Sequence, residues 1–188
     1  MKLRIISGHL KGRFISLSDK SVRFRPTQER VRQALAEIIK QKIPGAAVAD
    51  LCAGSGAFGL ECLSRGAREA HFVEQDRVLA RNISDYIERF GLGNRAVVFA
   101  RDARRYVMTC TAAYDIIFYD PPYGDAALAG LLPCIMELLS PGGVLVHERA
   151  AGKERAETGQ NPFDDNRFSR ESRVYGDTRA DFYTRRNA

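Results

Sequence analysis

The stretch AAVADLCAGSGAFGLECLSRG, residues 46–66, contains the change from strand to helix that decides the fold. Its first six residues form a short, mostly apolar run that is typical of a buried strand. Gly54, Gly56 and Gly59 then give the spacing G-x-G-x-x-G, and the helix-type residues that follow end at Gly66. Glycines at such a turn let a ligand approach the backbone at a helix N-terminus. The stretch therefore predicts a strand, a ligand-binding loop and a helix.

Strand and helix patterns continue to alternate after this unit. Strand patterns lie at 46–51, 69–74, 96–100, 114–119 and 142–148, and helix patterns lie at 56–66, 76–91 and 126–139, with a short helix or turn after residue 102. Pro133 should kink or split the last of these helices. Such alternation predicts an α/β protein with a mostly parallel, doubly wound sheet. Two further runs around Gly176 predict an antiparallel hairpin at the C-terminal end.

The first 45 residues differ from the rest in charge. They hold eleven Lys and Arg and three acids, a net charge of +8, whereas the whole chain carries 29 − 23 = +6, so the remainder is −2. Short β-like runs at 3–6 and 13–17 predict a small hairpin, and 25–42 predicts a helix. We therefore divide the chain into a basic extension, 1–45, and an α/β domain, 46–188. A concentrated positive charge favours a polyanionic partner, most often a nucleic acid.

Length and composition limit the class of protein. The 188 residues are 45% hydrophobic and 28% charged, as in an ordinary globular domain. No apolar run is long enough for a membrane span or has the form of a signal peptide, so we expect a cytoplasmic protein without a membrane partner. The four cysteines form no CxxC pair, and metal-ligand spacing is absent, so we expect reduced thiols and no metal.

Acidic residues follow the first three predicted strands of the α/β unit. Asp50 lies four residues before the first loop glycine, where a dehydrogenase usually has an apolar residue, and a carboxylate there suits a cationic ligand group better than a pyrophosphate. Glu74, after the second strand, could bind ribose hydroxyls of either ligand. Asp102 follows the third strand and could also act as a helix N-cap.

This pattern resembles the first motif of class I methyltransferases that use S-adenosyl-methionine (SAM). The resemblance implies a Rossmann-like fold in which the glycine loop binds the methionine part of SAM, the acid after the second strand binds the ribose, and the acid after the third strand faces the adenine. The implied cofactor-binding residues are Asp50, Ala53, Gly54, Gly56, Glu74, Gln75, Asp102 and Ala103.

The sequence DPPY at 120–123 follows the fourth strand and matches the (D/N)PP(Y/F) motif of methyltransferases that act on base amines or amide nitrogens. An amine on a nucleobase is a poor nucleophile because its lone pair is delocalised into the ring. The side chain of Asp120 and the carbonyl of Pro121 can accept its two hydrogens, and Pro122 fixes the corner. Tyr123 can stack on the base. These four residues are the predicted catalytic set.

The resemblance extends to the N-terminus. RIISGHLKGR at 4–13 and RPTQERVRQAL at 25–35, with the two motifs above, resemble a bacterial family that methylates guanine N2 in small-subunit (16S) ribosomal RNA. Cys52 and Cys62 depart from the family pattern, and 150–188 matches it least. The resemblance implies that the extension binds RNA, with these candidates: Arg4, Lys11, Arg13, Arg25, Arg30 and Arg32.

Three other functions remain open at this point. A DNA adenine-N6 methyltransferase also carries DPPY, but 188 residues leave little room for a target-recognition region. A non-catalytic RNA-binding assembly factor would not need the intact glycine and DPP motifs. An NAD-dependent oxidoreductase is disfavoured by DPPY. We expect a monomer that uses SAM and acts on 16S ribosomal RNA within a small subunit or an assembly intermediate.

Overall fold

The computed structural model describes residues 2–16, 26–122, 124–152 and 166–187, and for 26–29 it describes the backbone alone. The strands are β1 Lys2–Arg4, β2 Phe14–Ser16, β3 Ala47–Leu51, β4 Glu69–Val73, β5 Ala96–Phe99, β6 Tyr114–Tyr119, β7 Leu139–Ala150, β8 Phe168–Tyr175 and β9 Thr178–Arg185. The helices are α1 Pro26–Ile38, α2 Ala57–Ser64, α3 Arg77–Arg89, α4 Ala103–Thr109, α5 Ala126–Ala129 and α6 Leu132–Glu137, with a 3-10 turn at Lys40–Lys42.

Seven strands form the central sheet in the order β5-β4-β3-β6-β7-β9-β8. Strands β3 to β7 are parallel, while β9 runs antiparallel to both β7 and β8. The order reverses between β3 and β6, which therefore flank a crevice at their carboxyl ends, the usual ligand position in such sheets. The predicted Rossmann-like α/β fold with a C-terminal hairpin is confirmed.

Two apolar layers cover the sheet. One contains α2 and α3 side chains such as Leu60 and Ile83, and the other contains α4 and α6 side chains such as Tyr106 and Ile135. The helix predicted at 126–139 is divided into α5 and α6, with Pro133 in the first turn of α6, where a missing N–H costs nothing. The last parallel strand is longer than its predicted range, because β7 continues alongside β9 to Ala150.

The N-terminal strands β1 and β2 form a separate antiparallel pair, which confirms the predicted hairpin. Its inward side chains, Leu3 and Ile15, belong to the same apolar layer as α2 and α3. Backbone amides between the strands bind the C-terminal half of α2: Ile6 and Ser7 donate to Glu61 at 2.8 and 3.1 Å. Residues 2–16 are thus packed on the α/β unit through a shared core.

Within the described ranges, no helix combines the length and apolar character that crossing a bilayer requires. The same ranges contain no group of three or more His, Cys, Asp or Glu side chains arranged to hold a metal ion.

Candidate active site

A cavity of about 390 Å³ opens at the carboxyl ends of β3 and β6, where the strand order reverses. All eight predicted cofactor-binding residues except Gly56 line it, together with Asp120, Pro121 and Pro122. The described residues around it provide five carboxyl groups and one guanidinium, from Asp50, Glu74, Asp102, Asp120, Glu148 and Arg32. Such a wall suits a ligand with cationic groups and opposes a pyrophosphate.

The glycine loop between β3 and α2 adopts a left-handed backbone at three positions. Cys52, Gly54 and Gly56 have φ angles of 59°, 54° and 69°. A positive φ angle is strained for a residue with a side chain and is usually adopted by glycine. Cys52 is therefore the strained residue of the three. Gly56 does not line the cavity, but a Cβ there would lie 3.0 Å from Ile83 Cγ1, so it permits close packing of the loop on α3.

Asp50, at the end of β3, is 1% exposed, and its Oδ2 accepts a hydrogen bond of 2.9 Å from the Gly59 amide. It therefore holds the first turn of α2 against the strand. Burial raises the pKa of Asp50 to about 8, with smaller contributions from the carboxylates of Asp120 and Glu74, and the Gly59 amide opposes the shift. A cationic ligand in the cavity would favour the ionised form of this carboxyl.

Glu74 connects the end of β4 to the glycine loop. Its two carboxylate oxygens accept hydrogen bonds from the Gly54 amide at 2.7 Å and the Asp76 amide at 2.8 Å. Each carboxylate oxygen can accept a second hydrogen bond, so the side chain can fix the loop and still receive ligand hydroxyls. Gln75, next in the chain, also lines the cavity.

Asp102 is the N-cap of α4, as the sequence allowed. Its Oδ1 accepts from the amides of Arg104 and Arg105 at 2.9 and 3.3 Å, and the Arg104 guanidinium contacts both of its oxygens. The Arg104 side chain lowers the pKa of Asp102. Because Asp102 and Ala103 also line the cavity, the capping role and the predicted adenine contact are compatible.

Asp120, Pro121 and Pro122 leave β6 at the mouth of the cavity. Among the described residues, no donor contacts the Asp120 carboxyl, and burial raises its pKa to about 6. The fourth predicted catalytic residue, Tyr123, lies outside the described residues. The floor below Asp120 is aromatic: Phe118 stacks on Phe58 with ring centroids 4.1 Å apart.

The predicted RNA-binding residues divide into two groups. Arg4, Lys11, Arg13 and Arg30 are exposed, and Arg25 lies outside the described residues. Arg32 is only 8% exposed; its guanidinium donates to the carbonyls of Ala57 and Arg4 at 3.1 and 3.0 Å and lines the cavity. Arg32 therefore faces α2 and the cavity and not the outer basic surface, and its assignment to RNA binding stays a prediction.

Two features of the site were missed from the sequence. Glu148, near the end of β7, is buried and lines the cavity beside Asp120; only the position of β7 next to β6 could have indicated it. Phe14 is 51% exposed and lies opposite Arg4 in the N-terminal hairpin. The alternation of β2 does predict that Phe14 and buried Ile15 face opposite ways.

Comparisons with known proteins agree with this geometry. A family model described as "Conserved hypothetical protein 95" matches residues 3–184. The Escherichia coli K12 protein named "Ribosomal RNA small subunit methyltransferase D" is 35% identical over 147 residues, which cover 78% of this chain and 71% of that protein.

Solved structures share the whole fold. The Escherichia coli structure named "Putative methyltransferase yhhF" is 27% identical, covers 100% of both chains and gives a TM-score of 0.86. The crystal structure of SMU.776 complexed with SAH, the demethylated product of SAM, is 17% identical and gives a TM-score of 0.68 over 86% of this chain and 50% of that one. At that identity the second likeness concerns the fold alone.

Proposed function

Because the chain belongs to the family described as Conserved hypothetical protein 95, we propose that it transfers a methyl group from SAM to the exocyclic N2 of a guanine in 16S ribosomal RNA. The chain is a SAM-dependent methyltransferase with a Rossmann-like fold, and its similarity to a small-subunit ribosomal RNA methyltransferase supports ribosomal RNA as the substrate. The choice of guanine N2, the ribosomal subunit as the context, and action as a monomer are parts of the proposal.

One observation carries it. The Asp120 carboxyl and the Pro121 carbonyl stand at the end of β6, in the same cavity as the glycine loop and Glu74. No donor among the described residues occupies the Asp120 carboxyl. An acceptor held in place next to the cofactor loop, and without a protein partner, fits a substrate that brings its own N–H groups.

The cavity fits SAM by its charge. The ammonium and sulfonium of SAM are cations, and the carboxyls of Asp50, Glu74 and Asp120 surround the loop at which they would lie. In this proposal the loop residues Ala53 and Gly54 hold the methionine part, Glu74 and Gln75 hold the ribose, and Asp102 and Ala103 lie against the adenine. When bound, SAM supplies the methyl group as an electrophile and requires no metal.

The protein's part in the chemistry is to prepare the amine. Asp120 and the Pro121 carbonyl accept the two amine hydrogens, which draws the nitrogen towards a tetrahedral shape and directs its lone pair at the methyl group. Pro121 and Pro122 limit the backbone angles at this corner, so both acceptors are in position before the base arrives. Tyr123 would stack on the base.

The exposed face of the N-terminal hairpin supports RNA binding. Lys2 and Arg4 on β1 and Phe14 on β2 point outwards, while Leu3 and Ile15 point into the core. Cations alongside an exposed aromatic ring suit an RNA strand, because the cations neutralise phosphates and the ring stacks on an unpaired base. Lys11, Arg13 and Arg30 extend this basic surface; Arg25 also belongs to the proposed set.

The test uses small ribosomal subunits from a strain that lacks this protein. The subunits are incubated with purified protein and methyl-labelled SAM, and the digested RNA is analysed by nucleoside mass spectrometry. We expect label in N2-methylguanosine, and labelling slower on the order of 10²–10³-fold with the Asp120→Ala variant. Label in another nucleoside, or in protein alone, would refute the proposal, and a parallel reaction on DNA tests the adenine alternative.

A further inference from the structure

A buried carboxyl that the proposed chemistry does not use lies near the end of β7, two residues before Ala150. Glu148 is 4% exposed and lines the cavity. Burial raises its pKa to about 8, and the nearby Asp120 carboxyl adds to the shift. Among the described residues, no donor contacts it. Because Glu148 lines the cavity and no described donor contacts it, its carboxyl is available to a donor on the ligand.

The sheet register places Glu148 directly beside Asp120. Tyr119 of β6 pairs with His147 of β7, so the next residue of each strand is one of the two acids. Phe118 and Val146, two residues before them, both face the apolar layer that contains α2. Since side chains alternate along a strand, Asp120 and Glu148 project from the same face, at neighbouring strand ends spaced by about 4.8 Å.

The neighbours of Glu148 leave space for a planar ligand. Its partner on β9 is Ala180, the side chain of which is a single methyl group. The stacked rings of Phe118 and Phe58 also line the cavity and contribute apolar surface to it. A nucleobase in contact with Asp120 would therefore meet Glu148 at its edge.

Guanine presents two adjacent kinds of donor on one edge, the N2 amine and the ring N1–H. Adenine and cytosine have a lone pair at the equivalent ring nitrogen, which the ionised carboxylate repels, whereas a donor on the ligand favours the ionised form of Glu148. We propose that Glu148 accepts a hydrogen bond from the N1–H of the target guanine and so selects guanine, while Asp120 and Pro121 hold the amine. This inference rests on the proposed function, and it names the Glu148 carboxyl as the group in the cavity that distinguishes guanine from other bases.

The experiment changes the ring nitrogen and keeps the amine. Once mass spectrometry has located the methylated position, small subunits are reconstituted with 16S ribosomal RNA that carries guanosine or 2-aminopurine there. 2-Aminopurine retains the exocyclic amine but has a lone pair at N1 and lacks the O6 oxygen, so the Glu148 variants separate the loss of N1–H from the loss of O6. Single-turnover methyl transfer is measured for the parent, Glu148→Gln, Glu148→Ala and, as a control, Glu88→Gln, which changes an exposed acid on α3.

The parent should methylate guanosine far faster than 2-aminopurine. Glu148→Ala should slow transfer to guanosine by roughly 10- to 100-fold, the effect of losing a hydrogen bond to a charged group, with little change for 2-aminopurine. Glu148→Gln should reduce the preference for guanosine over 2-aminopurine, because its amide can donate a hydrogen bond to N1 of 2-aminopurine. The control should keep the preference of the parent, and SAH binding should persist in every variant.

The outcomes separate this inference from the proposed function. If the parent methylates both bases equally, or if both Glu148 variants keep its preference for guanosine, Glu148 does not read N1 although guanine methylation stands. The comparison of guanosine with 2-aminopurine needs only the parent protein. It can therefore refute the inference even if a Glu148 variant folds poorly. If the parent methylates no guanine, the proposed function fails, and this inference fails with it.

Discussion

Asp120 shows how a single carboxyl can be poised by its surroundings. It directly follows a buried strand, two prolines come after it in the chain, and no described donor contacts its carboxyl. The burial that raises its pKa also lowers the effective dielectric constant around it. A hydrogen bond to a substrate amine is stronger there than in water.

We predict that Asp120→Ala lowers the rate of methyl transfer much more than it weakens substrate binding. The lost acceptor acts mainly on the transition state, and the loss of one such preorganised group costs on the order of 10²–10³-fold in turnover. Asp120→Asn keeps an oxygen acceptor and should lose less. The measurement is single-turnover transfer at saturating SAM and RNA; equal loss in both variants would instead indicate that the negative charge is what matters.

The raised pKa of Glu148 also predicts a dependence of stability on pH. A carboxyl whose pKa is raised by folding stabilises the folded protein at low pH, and that stabilisation is lost as pH rises towards the folded pKa of about 8. Glu148→Gln removes the titration. Between pH 6 and pH 8 the free energy of unfolding of the parent should fall by about 1–2 kcal/mol more than that of Glu148→Gln. Urea denaturation at the two pH values, without SAM, measures both changes. Parallel pH curves would contradict the predicted shift.

At the scale of elements, the contact between α2 and β4 depends on a residue without a side chain. A Cβ on Gly59 would lie 2.3 Å from Cε1 of Phe72, which is fully buried. The third glycine of the loop motif therefore serves the packing of helix on strand. The loop glycines before it serve the left-handed turn.

We predict that Gly59→Ala destabilises the protein by about 1–3 kcal/mol, because overpacking in a rigid core exceeds the gain of about 1 kcal/mol in helix propensity. Gly93→Ala is the matched control, since no atom lies within 4 Å of its added methyl group. Thermal or urea denaturation compares the two. A stability of Gly59→Ala equal to that of the control would mean that Phe72 can move aside.

The same elements explain which parts of the fold the sequence could predict. Alternating apolar runs, the glycine loop and Pro133 are local signals, so the succession of strands and helices along the chain and the break between α5 and α6 followed from them. The burial of Arg32 and the placement of Glu148 depend on which elements become neighbours. Helical spacing shows that Arg32 lies near Leu35, and only the packed structure shows that Ala57 meets it.

At the scale of the whole molecule, the basic surface and the acid-lined cavity lie in different places. The basic surface lies on the N-terminal hairpin and α1, and the acid-lined cavity lies at the carboxyl ends of the parallel strands. Arg32 joins the two, through carbonyls on β1 and α2. RNA affinity and cofactor affinity can therefore be altered separately by changes on the outer face of the hairpin.

We predict that Phe14→Ala weakens the interaction with ribosomal RNA and leaves SAH binding unchanged. The ring is 51% exposed, so its removal leaves the core intact, and the loss of base stacking should cost about 1–3 kcal/mol. KM for small subunits and calorimetric affinity for SAH give the two readouts. Val174→Ala changes another exposed apolar side chain, 62% exposed on β8, and should affect neither. An unchanged KM in Phe14→Ala would exclude a role for this ring.

The hydrogen bonds between the N-terminal hairpin and the helices also indicate the order in which parts of the protein fold. Ile6 and Ser7 bind Glu61 across 55 and 54 residues, and Ser16 binds Tyr86 across 70. Contacts so distant in the chain form late, because closing a long loop loses entropy before any contact compensates. Ser64→Ala, which removes the hydroxyl that receives the Leu10 amide, should therefore speed unfolding and leave the refolding rate nearly unchanged; slower refolding would contradict this order. During synthesis the N-terminal hairpin leaves the ribosome before α2 and α3 and must wait for them before it reaches its native partners.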